Sequence, residues 1–258
     1  MESVLILFSG GMDSFLATCR LIRDGFKAVP ILFNNGALAG ETNVLHSIKR
    51  LTNRYGPDRV LYAGCYNTAA LIQNINGYSM SAPWQAMAKI YPNLTNAQVM
   101  CLNCQTAMWI AAIAYAKSRD IKKIACGYRK TDLFCTGHQG YIDIIMTVAS
   151  QHGIELVFPV WDDDAWRRHP SGDGRKHEMV AQGFEPQVYE PKCMLGVPVP
   201  PMSDTVKTEM ENYVRDVLLP GISRQISRMQ PILAKIKLSP SSITAVDYPV
   251  PDGAGSLY

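Results

Sequence analysis

The chain has 258 residues, 47% hydrophobic and 18% charged, enough apolar surface for a substantial core and too few charges for a disordered chain. Its formal net charge is +3, and no Lys/Arg run exceeds two residues. That balance permits an anionic ligand and excludes the dense basic stripe of a dedicated nucleic-acid binder.

In chain order, residues 3–8 form a continuous apolar run ending at Ser-Gly-Gly, the pattern of a buried parallel strand. Residues 13–24 read as a helix, with Phe15, Leu16, Cys19, Leu21 and Ile22 roughly on one face and Gly25 as its stop. A second strand is expected over 28–33, a helix over 44–55 and a third strand over 59–62. This alternation, with its short connections, predicts an α/β fold with a doubly wound, mostly parallel sheet. Residues 64–100 carry a weaker pattern, with short helices expected over 68–75 and 84–90. A helix over 105–118 follows, then a strand over 122–126 ending at Gly127, a helix over 141–152 and a strand over 155–160. After Trp161 the chain turns polar, with a helix over about 176–182. Residues 189–202 contain four prolines and are expected to be irregular. Helices are expected over 203–219 and 222–237. The organisation predicted is a catalytic domain over 1–200, a helical C-terminal extension over 201–238 and an extended tail over 239–258.

The apolar run of the first strand is too short for a signal peptide or a membrane span. A cytoplasmic protein with no membrane partner is expected. In that reducing compartment the seven cysteines point to metal or redox chemistry rather than to structural disulfides.

The six residues Ser9, Gly10, Gly11, Met12, Asp13 and Ser14 join the first strand to the first helix. The glycines let the backbone turn tightly and approach a phosphate, and the helix N-terminus adds N–H donors and a partial positive charge. Ser9 and Ser14 offer hydroxyls, and Asp13 can cap the helix or hold Mg²⁺. An ordinary capped turn would explain a bare Gly-Gly. The complete string, directly after a strand, favours a phosphate loop.

This string resembles the PP-loop of the ATP pyrophosphatase superfamily, which includes GMP synthetase, the tRNA thiolation enzymes and 7-cyano-7-deazaguanine synthase. The resemblance implies that ATP's pyrophosphate sits on the loop while a substrate oxygen attacks the α-phosphate. It implies adenine contacts near the end of the second strand, at Leu32, Phe33 and Asn34. Met12 stands where many relatives have Lys or Leu, which favours the deazaguanine-synthase branch. Residues 124–132 resemble the superfamily's strand-Gly-x-x-x-x-Asp element. By that likeness Gly127 allows close backbone approach, Asp132 holds Mg²⁺, and Lys130 or Arg129 neutralises charge at the α-phosphate. Asp13, Lys130 and Asp132 are the catalytic candidates. Residues 137–161 and the later stretch 176–180 follow the deazaguanine-synthase layout as well.

Cys101 and Cys104 form a CxxC at the start of the expected central helix, with both sulfurs on one side and the helix dipole favouring their thiolates. One CxxC is half of a tetrahedral site, and Cys193 in the Pro-rich segment is the best further ligand. The spacing is similar to the three-cysteine [4Fe–4S] site of some tRNA thiolases, and it puts Cys193 where deazaguanine synthases begin a zinc site. Zn²⁺ would need a fourth ligand, from His177, His169 or Cys135. Against both stands simple packing, with Cys101 and Cys104 as small buried hydrophobes. That packing reading is taken for Cys19, Cys65 and Cys126.

Three functions compete. The first is an ATP-dependent adenylating enzyme similar to 7-cyano-7-deazaguanine synthase. It activates a carboxylate or amide of a deazapurine for attack by an amine, including one on an acceptor protein. The second is an iron–sulfur tRNA thiolase that adenylates a base carbonyl, favoured by the cysteines and opposed by the missing basic tract. The third is a non-catalytic nucleotide sensor, opposed by the presence of Asp13, Lys130 and Asp132 together. A homodimer is the expected assembly.

Overall fold

The computed structural model describes residues 1–35, 38–39, 43–74, 89–132, 134–162, 173–187, 189, 192–193 and 202–234. Five parallel strands form one sheet: β1 (Ser3–Leu7), β2 (Lys27–Asn34), β4 (Gly64–Asn67), β5 (Lys123–Cys126) and β6 (Glu155–Val157), in the order β4-β2-β1-β5-β6. A two-stranded antiparallel ribbon joins β3 (Leu38–Ala39) to β7 (Lys192–Cys193). The α/β fold with a parallel sheet is the one expected from the sequence.

The apolar runs of the central strands have a direct cause: both faces of the sheet are covered, so alternate residues enter different cores. Leu5, Val29, Ile31 and Phe33 pack in one core. Val4, Ile6, Phe8, Ala28 and Leu32 pack in the other. The second core is closed by α1 (Met12–Arg23), α2 (Val44–Tyr55) and α6 (Gly174–Ala181). The first is closed by α3 (Ala69–Asn74), α4 (Asn96–Ser118), α5 (Gln139–Gln151) and the C-terminal helices α7 (Asp204–Tyr213) and α8 (Leu219–Ala234).

The third strand does not occupy 59–62. The ladder of β2 with this segment starts, since Ala28 N donates to Arg59 O and Leu61 N to Ala28 O, both at 2.9 Å. Pro30 then has no N–H to continue it. Ala63 N still donates to Pro30 O at 2.8 Å, and regular pairing begins only where Ile31 meets Gly64.

The central helix also differs from expectation. It starts at Asn96 rather than at 105, because Thr95 and Gln98 form a capping box that satisfies two terminal donors reciprocally. Cys101 and Cys104 therefore lie inside α4, where the end-of-helix dipole does not act on them. By length and composition α4 is apolar enough to cross a membrane, but 72% of its most apolar stretch is buried inside the protein. The two expected C-terminal helices are joined without a loop, through a π-helical turn over Val214–Leu218. Residues 84–88 of a short expected helix, and the tail over 239–258, lie outside the described residues.

Leu5 is fully buried in the sheet between β2 and β5. Leu5→Ala is expected to cost about 2–5 kcal/mol, read as a lower urea midpoint at unchanged slope.

Candidate active site

Leu7 of β1 is paired with Cys126 of β5, so the two strands end at the same edge and their following turns meet. Gly10 takes φ +83°, a backbone that side chains resist. A Cβ there would also lie 2.9 Å from Tyr189 O and from Val44 Cγ2. Gly11 is extended and caps α1. Gly11 N donates to Ser9 Oγ at 3.2 Å, and Ser14 Oγ donates to Gly11 O at 3.0 Å. The two seryl oxygens are 3.2 Å apart. Hydroxyls thus brace the loop from within. The first-turn amides of α1 have no acceptor inside the helix and point out of its end.

The turn after β5 rests on this loop. A Cβ at Gly127 would sit 2.5 Å from Ser14 N and 2.6 Å from the Asp13 carbonyl carbon, a separation no side chain can occupy. The contact sets Arg129 against Asp13, with Nε 3.3 Å from Oδ2. Arg129 also holds Asp132, whose Oδ2 accepts from Arg129 N at 3.1 Å. The side chains of Arg129, Asp13 and Asp132 are 13%, 25% and 24% exposed, so these charges interact more strongly than surface pairs do.

A second guanidinium arrives from α6. Arg175 Nη1 lies 3.3 and 3.1 Å from the two Asp13 oxygens. Its Nε lies 3.0 and 3.1 Å from the Asp173 oxygens, and its Nη2 lies 2.7 Å from Oδ2. That bond holds the Asp173 carboxyl below the usual carboxylate range. At Asp13 burial prevails over both arginines and pushes the carboxyl pKa up. Helix α6 is itself fixed on α1 by a two-pronged pair, Arg20 Nε to Glu178 Oε1 at 3.0 Å and Nη2 to Oε2 at 2.7 Å.

Of the other expected site residues, Lys130 faces outward and pairs with Asp162 at 3.1 Å. Leu32 and Phe33 stand at the sheet edge where β2 ends, with their side chains in opposite cores. The Asn34 carbonyl accepts from Thr68 N at 2.7 Å. The sequence reading missed Arg175, although Asp173 before a helical pattern is an N-cap signal that could have drawn attention to it.

Cys101 and Cys135 lie in the core on the opposite side of the sheet from α6. Cys104 Sγ accepts from Asn35 Nδ2 at 3.4 Å. The thiol of Cys135, which is buried, donates to Cys101 and holds the Cys101 thiolate below the ordinary thiol range, against the effect of burial. The backbone of Cys193 pairs with Leu38, shortly after Asn35 in the chain. Its side chain, and all of His169, Asp163 and Asp164, lie outside the described residues. His177 is exposed on α6. Among the described residues no three His, Cys, Asp or Glu are grouped so as to hold a metal.

A parallel sheet whose first strand turns through Ser-Gly-Gly-x-Asp-Ser into a helix, with a glycine turn packed beside it, defines a PP-loop protein of the ATP pyrophosphatase superfamily. The family model for thiamine biosynthesis protein (ThiI) matches residues 1–129, half of the chain, and the chain belongs to that family. A solved 4-thiouridine synthetase in complex with RNA and ATP shares the fold, with TM-score 0.60 and 14% identity over 89% of this chain and 53% of that one. The chain thus spans about half of that synthetase's length. A predicted subunit of tRNA methyltransferase from Methanocaldococcus jannaschii aligns more loosely, with TM-score 0.40 and 16% identity over 75% of this chain and 96% of that one. No curated protein matches the chain.

Two outcomes follow from this geometry. Gly127→Ala must push the Ser14 backbone away, and a loss of about 1–3 kcal/mol is expected in thermal or urea unfolding. Brief alkylation at neutral pH is expected to label Cys101 well before Cys19, whose thiol burial pushes up to about 12; peptide mass mapping reads the order.

Proposed function

We propose that this chain is an ATP-dependent tRNA thiolase, which transfers AMP to a carbonyl oxygen of a tRNA base and lets sulfur replace that oxygen. The observation that carries this reading is the contact of the Ser9-to-Ser14 loop with the Gly127 turn beside Asp13, in a chain of the ThiI family. RNA as acceptor is supported by the synthetase of like fold, which holds ATP and RNA. In this reading the α1 amides and the Ser9 and Ser14 hydroxyls hold the outer phosphates. The β2 terminus receives adenine through backbone and Asn34, since Leu32 and Phe33 keep their side chains in the cores. Asp13 and Asp132 are the oxygen donors suited to Mg²⁺. Arg129, turned inward where Lys130 is not, neutralises charge at the α-phosphorus.

The reaction balances in two displacements. The base oxygen attacks the α-phosphorus and pyrophosphate leaves. A sulfur nucleophile then adds to the activated carbon, and AMP departs with the original oxygen. Cys101 and Cys104 lie on one side of α4, and β7 brings the Cys193 backbone to the ribbon that follows Asn35. Three thiolates of this kind suit a soft metal group, and Cys135 is the nearest described candidate for the fourth ligand of a zinc site. A [4Fe–4S] cluster would be held by Cys101, Cys104 and Cys193 and would supply the sulfur-transfer chemistry. Of the two chemistries open at the sequence level, amide formation on a deazapurine shares the adenylation half, but the ThiI match and the thiol pair both favour sulfur.

The test combines calorimetry with nucleoside mass spectrometry. MgATP is expected to bind, and tRNA incubated with ATP and a sulfide donor is expected to gain a thiolated base. Cys101→Ser, Cys104→Ser and Cys193→Ser should each abolish thiolation and leave ATP binding within about twofold. Pyrophosphate release driven by a deazapurine acid but not by tRNA would reverse the assignment.

A further inference from the structure

The phosphate loop carries a carboxylate that is already occupied. Asp13 is contacted by Arg175 Nη1 on both oxygens and by Arg129 Nε on one. These two cations differ in how they are held. Arg129 belongs to the turn that Gly127 locks onto the loop, and its main-chain N–H is itself bonded to Asp132. Arg175 comes from a helix far along the chain. Its Nε and Nη2 edge is fixed by Asp173, so only the Nη1 end reaches Asp13. Helix α6 is fixed in turn by the Arg20–Glu178 pair, and Arg20 Nη1 also donates to Pro159 O at 2.9 Å. The guanidinium is therefore delivered to the mouth of the phosphate loop on a rigid mount with one prong able to change partner.

We propose that Arg175 is a pyrophosphate-binding residue that switches partners: its Nη1 end leaves Asp13 for the outer phosphates of ATP and frees the Asp13 carboxylate for the divalent cation that accompanies them. This rests on the reading of the loop as an ATP site, and adds to it a residue and an order of events. A guanidinium suits the exchange because its Nε and Nη2 edge stays on Asp173 while Nη1 donates equally well to a carboxylate or a phosphate oxygen. Before nucleotide arrives, the same contact keeps a half-buried carboxylate paired, where an unpaired one would be costly. The metal site at Asp13 is accordingly closed until phosphate draws Arg175 away. Metal and nucleotide then bind with positive coupling.

The measurement uses the full chain with three probes: MgATP and magnesium pyrophosphate by calorimetry, and Mn²⁺ alone by electron paramagnetic resonance. Arg175→Gln is expected to weaken pyrophosphate and MgATP by about ten- to a hundredfold, the loss of a charge-assisted hydrogen bond, and to leave AMP within about twofold. The same variant should bind Mn²⁺ alone several-fold more tightly than the parent chain, because Asp13 Oδ1 is then released while Arg129 stays on Oδ2. A residue that only supported the fold would weaken both. Arg175→Lys keeps the charge and loses the edge that Asp173 fixes, so it should fall between parent and Gln variant on pyrophosphate; it carries the test if the Gln variant does not fold. Pyrophosphate affinity equal to the parent's in either variant, or no gain for Mn²⁺ in the Gln variant, overturns the role given to Arg175 while the ATP site stands. A parent chain that binds neither MgATP nor pyrophosphate removes the ATP site itself and this proposal with it.

Discussion

The contact between two turns, one after β1 and one after β5, governs the rest of the site. Adjacent parallel strands ending in register, with Leu7 opposite Cys126, force the turns together, and the missing side chain at Gly127 lets their backbones touch. From that single approach follow the position of Arg129 over Asp13 and the bond of Asp132 to the Arg129 main chain. The charges are thus placed by backbone geometry rather than by flexible side chains. Such placement costs little reorganisation when a phosphate arrives.

Much of this was legible in the sequence, and the parts that were not share a cause. The phosphate loop, the β1 and β5 strands and Gly127 are local patterns: apolar runs that stop at glycine. They could be read because both faces of the sheet are covered, which makes the inner positions of the central strands apolar on both sides. The start of α4 was missed because its signal is the polar pair Thr95 and Gln98, placed before the apolar stretch that drew the eye. The third strand was set too early because Arg59–Tyr62 is itself a β-like run, while the reason it fails to pair lies on a neighbouring strand, at Pro30. Arg175 has only a weak local signal, the Asp173 N-cap, for the same reason. Its meaning depends on Asp13, which is remote in the chain and is brought near by α6 packing on α1.

The thiol group shows what a change of helix boundary does to a chemical argument. At a helix start, CxxC thiolates would be favoured by the dipole; in the body of α4 that effect has fallen away. What favours the Cys101 thiolate here is a neighbour from another element, Cys135, on the short 3₁₀ turn over Cys135–Gly137. That turn is itself crowded against the β5 loop, since a Cβ at Gly137 would lie 2.3 Å from Asp132 O. The residue that tunes the thiol and the carboxylate held by Arg129 therefore share one short loop.

A second segment braces the phosphate loop from the other side. Residues 184–187 and Tyr189 pack on α1, α2 and the phosphate loop: Phe184 packs edge-on against Phe15, with ring centres 4.8 Å apart, and Arg50 Nη1 donates to Gln187 O at 2.7 Å. Tyr189 stacks on His46 and its N–H reaches Gly10 O at 3.4 Å. Shortly beyond, β7 pairs with β3 and carries Cys193. The Gly10 carbonyl, held by Tyr189 and by Ser47 Oγ, is the fixed end of this strap. A loop that must present its amides to phosphate needs its carbonyls turned elsewhere, and Tyr189 and Ser47, from two separate parts of the chain, hold one of them.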